Sequence, residues 1–358
     1  MNVLPCYKEQ KQPMLDLQPA SFEEFERQAQ QGNVVPVVRS VLADLQTPVG
    51  AFMRIAADSP YAFLLESVEG GERIARYSFL GANPEMIVRG AGSQTFVERK
   101  GKTETYGTVA TEWVRDYFRD RVLARRPGLA PLAGGAVGYV GYDAARWFEP
   151  ALRTDETRDD GTGPKVKTST DAVWMFYRDV IAFDRVRQRM EIVSIVLTEE
   201  AEGSHARLRE LYDQALRRTE QLETELLKGA PPQGRATREG SASGLESPES
   251  NWTRRDFEDG VRRIQEYIAA GDCYQVVLSQ RFSTSFSGDP IAIYRALRAV
   301  NPSPYMFFFR LGDESIIGAS PEMLVRCHGQ RLDYRPIAGT RKRGATDRRL
   351  DSWRRFED

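Results

Sequence analysis

The sequence predicts a strand-rich α+β fold, and three observations carry that prediction. Short apolar runs such as YAFLLESV (61–68), EMIVRG (85–90) and YMFFFR (305–310) have strand composition and are closed off by turn-forming or charged residues. Apolar residues at helical spacing are confined to a few segments. The two patterns follow one another irregularly, without the βαβ alternation that builds a doubly wound parallel sheet.

Taken in order, Val37, Val38, Val41, Leu42 and Leu45 fall at helical spacing and predict an early helix. YAFLLESV and EMIVRG follow as strands, and TEWVRDYFRDRVL (111–123) as a helix. PLAGGAVGYVGYD (131–143) places Gly135, Gly138 and Gly141 in a GxxGxxG spacing. That spacing is neither GxGxxG nor a GK[ST] phosphate loop, so close strand packing is the reading. Residues 153–165, rich in Asp, Thr and Gly, predict a loop, and residues 171–197 two strands with a turn near Asp184-Arg185.

A charged helix over 205–227 leads into GAPPQGRATREGSASGLESPES (229–250), a linker by its Pro, Gly and Ser content. Beyond it Thr253 and Asp256 form a capping box, Phe257, Val261, Ile264 and Ile268 share one face, and Gly271 ends a helix over 254–270. YQVVLSQRFSTSF (274–286) predicts a long strand, and Asp289-Pro290 starts a helix over IAIYRALRAV. YMFFFR, SIIGAS and EMLVRC then read as three strands separated by turns.

Composition excludes several classes of function. The 358 residues carry 50 Lys plus Arg against 51 Asp plus Glu, so no global field favours nucleic acid or an anionic membrane. Cys6, Cys273 and Cys327 are odd in number and lack CxxC spacing, which argues against a disulfide framework or a zinc site. No run reaches the ~18 apolar residues of a membrane span, and MNVLPCYKEQKQPM has no signal-peptide core. A cytoplasmic location is expected. His205, in a charged helix, and His328, in a turn, read as solvated, and Glu66 and Glu322 as polar residues at strand ends.

Two segments carry more chemistry. NPSPYMFFF (301–309) sets two prolines before an aromatic strand, which suits either a rigid turn or the rim of a small apolar pocket for an aromatic ligand. In RPIAGTRKRG (335–344), Gly339 allows close approach to the backbone, Thr340 offers a hydroxyl and an N–H, and Arg341 can fork onto a carboxylate. A carboxylate-bearing small molecule fits that turn. The basic run is too short, and too poor in aromatics, for a nucleic-acid surface.

The ordered set LLES (64–67), RYSFLG (76–81), GGAVGYVGYD (134–143), GDCYQVVLSQR (271–281), NPSPYMFFF, GASPEMLVR (318–326) and RPIAGTRKRG resembles the anthranilate synthase component I family, within the chorismate-utilising enzymes. The resemblance runs from about residue 15 to residue 347. It implies two packed antiparallel β-sheets with helices outside, incomplete at the C-terminus. It implies an N-terminal region over 15–228, the linker 229–250, the first part of a chorismate-binding domain over 251–347, and an aberrant tail over 348–358. The implied reaction converts chorismate and ammonia to anthranilate and pyruvate. Mg²⁺ acts on the substrate carboxylate, a glutamine amidotransferase subunit supplies ammonia, and tryptophan inhibits.

Carried over by residue, Ser67, Pro304, Tyr305 and Met306 match the family's tryptophan site, and Gly339 and Thr340 part of its chorismate site. Ala338 replaces the lysine common in aminodeoxychorismate synthases, the alternative enzyme, and so removes a covalent route. Gln275 stands where isochorismate and salicylate synthases place the lysine that activates water, so the resemblance favours ammonia as nucleophile. The family's catalytic His and metal-binding Glu residues lie in sequence that would follow residue 358. The expectation is therefore a truncated, inactive and poorly stable chain from a frameshift or premature stop, or else a non-catalytic tryptophan- or subunit-binding module.

Overall fold

The computed structural model describes residues 17–68, 76–152, 170–228 and 247–335. They fall into a large unit and a smaller one spanning Pro232–Ala292, with the chain from Ile293 onward returning to the large unit.

The large unit is built on an eight-stranded antiparallel sheet. Its strands are β1 (Leu17–Gln18), β2 (Val34–Leu42), β3 (Tyr61–Glu66), β4 (Tyr77–Ala82), β10 (Asp179–Asp184), β11 (Arg189–Leu197), β14 (Tyr305–Leu311) and β15 (Glu314–Ser320). Their spatial order is β1-β2-β11-β10-β4-β3-β14-β15. A second antiparallel sheet has the order β7-β6-β5-β9-β8. It comprises β5 (Met86–Ala91), β6 (Gln94–Arg99), β7 (Lys102–Tyr106), β8 (Gly135–Val140) and β9 (Ala172–Tyr177).

The two sheets face each other through apolar side chains at alternate positions. Phe63, Val180 and Phe309 of the large sheet meet Val137, Met175 and Tyr177 of the small one. Helices cover the outer faces. Phe22 and Phe25 of α1 (Phe22–Ala29) pack with Val35, Val37 and Val196 of the large sheet. Against the small sheet, Trp113, Val114 and Tyr117 of α3 (Ala110–Phe118) pack on Met86, Val88, Val97 and Phe176. Phe52 of α2 (Pro48–Ile55) makes an edge contact with Phe308. Two packed antiparallel sheets with helices outside is thus the observed architecture.

Three expectations change. Residues 37–42 lie in strand β2, not a helix, because Val34, Val35, Val37 and Val38 are buried on both faces and pair with β11 along its whole length. The β-branched run, not its spacing, decided the outcome. Residues 171–197 give three strands, since Arg178 alone separates β9 of the small sheet from β10 of the large one. In the smaller unit, residues 274–281 form no long strand; among its described residues only β12 (Glu249–Ser250) and β13 (Phe282–Ser283) pair. Tyr274 and Val277 are correspondingly exposed, and a strand without a long neighbour has no ladder to join.

The helix expected over 111–123 stops at Phe118, and His328 ends strand β16 (Met323–His328) instead of sitting in a turn. The remaining elements form as the sequence dictates. The Gly138 Cα sits so close to β9 that a Cβ would lie 1.8 Å from the Val173 carbonyl oxygen, the close strand packing read from the glycine spacing. A short helix α4 (Ala145–Phe148) lays Trp147 over Gly90. The long α5 (His205–Leu227) buries Leu211, Tyr212 and Ala215. Thr253 accepts from the Asp256 N–H and Gly271 adopts positive φ at the ends of α6 (Arg254–Ala270). In α7 (Pro290–Val300) the Asp289 carboxylate accepts from the Ile291 N–H. A hairpin of β16 (Met323–His328) and β17 (Arg331–Arg335) closes the described chain. No described helix is long and apolar enough to cross a membrane.

Candidate functional site

The sheet brings together segments that lie about 240 residues apart in sequence. β3 pairs antiparallel with β14, with Met306 opposite Glu66, and just beyond the ladder the Val68 N–H donates to the Ser303 carbonyl at 3.1 Å. That register sets Ser67 alongside Pro304 and Tyr305. All three are half-buried, whereas Met306 is buried. The two prolines flank Ser303, itself buried, and hold the approach to β14 extended.

Beneath this rim lies a buried polar cluster. Strand alternation puts Ala62, Leu64 and Glu66 on the face toward α2 and α7, and the Glu66 side chain is 0% exposed. Its Oε2 accepts from the Tyr294 hydroxyl at 2.7 Å and lies 3.1 Å from Arg298 Nε. The latter contact is an ion pair only, because Arg298 Nε lacks hydrogen-bonding geometry to any partner. On the other side Arg185 Nη2 donates to Glu66 Oε1 at 3.3 Å and to Ser78 Oγ at 3.2 Å. Burial, together with the neighbouring Glu66 charge and hydrogen bond, raises the Tyr294 phenol well above its ordinary range.

One carboxylate is thus compensated by two guanidinium groups and a phenol. Breaking a buried pair by removing one partner typically costs about 3–5 kcal/mol. The cluster fixes the end of β3 and the C-terminal half of α7, which leads into the rim. The sequence reading took Glu66 for an ordinary strand-end residue. The available signal was its place in the period-two series Ala62, Leu64, Glu66, which marks a carboxylate on a buried face. Nothing in sequence named Arg185, Tyr294 or Arg298 as its partners.

The other expected positions are placed as follows. Gln275 is exposed in the smaller unit, and Ala338, Gly339 and Thr340 lie outside the described residues, as does the rest of the RPIAGTRKRG turn beyond Arg335. Glu322 is exposed, as is His328 at the end of β16. The His205 side chain is 72% exposed, 2.8 Å from Glu26. Among the described residues no group of three or more His, Cys, Asp or Glu side chains could hold a metal ion. The donors present there do not fit Mg²⁺, and no chemical step is derived through it.

Comparison with known proteins supplies the relationship. The model of the chorismate binding enzyme family matches residues 60–353. The chain belongs to the chorismate binding enzyme family. Within that family, it is similar to anthranilate synthase component 1 of Synechocystis sp., 38% identical over 336 residues covering 91% of this chain and 64% of that protein. The enzyme of the same description from Pseudomonas putida is 38% identical over 328 residues, with the same two coverages. The chain therefore spans just under two thirds of the length of these relatives. In structure it resembles anthranilate synthase component I from Streptococcus pneumoniae TIGR4, with a TM-score of 0.53 and 26% identity over 82% of this chain and 59% of that one. The packed antiparallel sheets are accordingly those of a chorismate binding enzyme.

Proposed function

We propose that this chain carries the tryptophan-binding and part of the chorismate-binding machinery of an anthranilate synthase component I. The reaction adds ammonia to the chorismate ring with loss of the hydroxyl as water, then eliminates pyruvate to leave anthranilate. A glutamine amidotransferase subunit supplies the ammonia, and tryptophan, the end product, feeds back.

The observation that carries the reading is the junction of β3 and β14, which places Ser67 beside Pro304 and Tyr305 and next to the buried Met306. These four positions were assigned to one tryptophan site by resemblance although they come from opposite ends of the chain. Their side chains suit the ligand: Pro304, Tyr305 and Met306 offer apolar surface to an indole, and the Ser67 hydroxyl can bond a polar group of the amino acid. The Glu66 cluster supports this rim from below. Gly339 and Thr340 are assigned to the chorismate carboxylate, with Ala338 excluding a lysine adduct and Gln275 excluding a lysine base for water.

Titration calorimetry with L-tryptophan tests the reading. Saturable binding to this chain is expected, weakened at least tenfold by Ser67→Arg, with D-tryptophan a poor competitor. Heats no different from dilution, or a Ser67→Arg variant that binds as well as the parent, would overturn it.

A further inference from the structure

The two antiparallel sheets end in β1, β15, β7 and β8, and only two of these edges are protected against pairing. β1 is two residues long and runs directly into Pro19, while β7 is exposed throughout and carries Lys102 and Glu104. Short length, proline and charge are the ordinary means by which a sheet edge avoids a further strand. β15 has a single charge, Glu314 at its start, and β8 has none; the whole run 127–142 around β8 is uncharged. Among the described residues neither strand has a second neighbour.

The free backbone groups of β8 can be assigned. The Gly141 N–H donates to the Asp171 carbonyl at 2.7 Å, one step beyond the pairing of Val140 with Ala172. Backbone groups alternate sides along a strand, so Gly135, Val137 and Tyr139 direct theirs to β9, and Ala136, Gly138 and Val140 direct theirs to the open side. These groups are within reach of solvent, since Val140 is 47% exposed and Ala136 and Gly138 are half-buried. Tyr142, just past the strand, is 96% exposed.

We propose that β8 is a self-association edge, to which the β8 strand of a second copy of this chain adds antiparallel, with the two Gly138 residues opposite each other. A two-fold axis normal to the sheet pairs residues whose side chains share a face, so Ala136 of one copy meets Val140 of the other and Val137 meets Tyr139. The outward N–H and C=O groups of residues 136, 138 and 140 then form about six hydrogen bonds between the copies. Centring the pair on Val137 would run the ladder into Gly134 and Gly135, whose φ of +139° and +111° departs from strand geometry. That register keeps only about four of the bonds. An uncharged strand meets its own copy without repulsion, and symmetry matches the two edges, whereas β8 offers no charge pattern by which to select a foreign strand. Sheet size separates the two open edges. Self-pairing through β15 would double the eight-stranded sheet, well past the ~10 strands that an open twisted sheet sustains, whereas β8 doubles the five-stranded one to about ten. This association is independent of the tryptophan and chorismate assignments above.

Sedimentation of the whole chain over a broad range of concentration tests the proposal, and a reversible monomer–dimer equilibrium is expected. Val140→Lys enters the ladder twice per dimer and removes two valine contacts, so association should weaken about tenfold or more. Thr103→Lys on β7, the opposite edge of the same sheet, should leave it unchanged. Mild oxidation of the double variant Ala136→Cys, Val140→Cys should give dimers whose peptide map joins position 136 to position 140. Those positions face each other across the copies at about 5.5 Å between Cα atoms, within disulfide reach, but lie ~13 Å apart along one strand. Should Val140→Lys fail to fold, the mapped cross-link decides. A monomer at every concentration, which would leave β8 to a strand of another protein, would overturn the proposal. So would a dimer indifferent to Val140→Lys, one weakened as much by Thr103→Lys, or cross-links that never join 136 to 140.

Discussion

Replacing Tyr294 by Phe removes one hydroxyl from the buried cluster and leaves the ring packing intact. The hydroxyl donates to Glu66 Oε2 at 2.7 Å, and both Tyr294 and the Glu66 side chain are 0% exposed. A hydrogen bond to a charged group contributes about 1.5–3 kcal/mol, and without water to replace the donor the upper half of that range applies. Arg298 Nε, 3.1 Å from Oε2, does not have the geometry to hydrogen-bond it. The edge contact of the ring with Phe308, at 6.0 Å between centroids, is retained. A loss of about 2–3 kcal/mol corresponds to a fall in Tm of about 3–5 °C for a unit of this size. Thermal unfolding of the parent, Tyr294→Phe, Glu66→Gln and the double variant forms the cycle, with an expected coupling of about 1–2 kcal/mol. The phenol adds an alkaline signature. Its folded pKa is raised, so its contribution is complete below the unfolded value and is lost as pH rises above it. Tyr294→Phe should therefore flatten the alkaline fall in stability. A Tm within 1 °C of the parent (a ~0.5 kcal/mol effect or less), or strictly additive single variants, would refute the account of Glu66 as a carboxylate held from three sides.

Three further outcomes are expected. Asp184 accepts from Arg76 at 2.6 Å and from the N–H groups of Val186 and Arg187; burial opposes its ionisation, but the Arg76 bond and these donors outweigh it and hold the carboxyl below its ordinary 3.8. Asp184→Asn should cost about 2 kcal/mol at neutral pH, a deficit that urea titrations should see shrink as pH falls through the folded pKa. Glu191 is the opposite case: burial raises its carboxyl above the ordinary 4.5 despite the Ala130 N–H, so its folded form loses stability as pH rises. Glu191→Gln should raise Tm at neutral pH and leave it unchanged or lower in acid; a lower Tm at both would count against a desolvated charge. Gly138→Ala should cost about 3 kcal/mol or more, since its Cβ meets backbone at Val173 and not a movable side chain. A soluble variant melting with the parent would contradict the strand spacing.

How far the sequence could be read depended on whether the deciding interaction was local. Thr253 and Gly271 bound α6 because a cap is a contact within four residues. Strands β3, β5 and β14 were visible as bounded apolar runs. The spacing of Val37, Val38, Val41 and Leu42 suggested a helix, and the ladder to β11, about 150 residues away, overruled it. Residues 274–281 had strand composition but found no long neighbour within the described residues of their unit. Ser67, Pro304, Tyr305 and Met306 were legible as motifs and as a family resemblance, whereas their adjacency was not visible in spacing.

By itself the sequence determined the strand-rich class, the ends of α6, the close packing at Gly138 and membership among chorismate binding enzymes, because composition, caps and ordered motifs are properties of neighbouring residues. Only the tertiary structure decided that Arg178 hands the chain from one sheet to the other, that Glu66 is buried between Arg185, Arg298 and Tyr294, and that β8 ends its sheet as an open edge among the described residues. The second depends on side chains more than fifty residues apart meeting across a sheet face, and the other two on which distant strands each neighbour pairs with. That pairing is set by the free energy of burying both faces at once, which no single stretch of sequence contains.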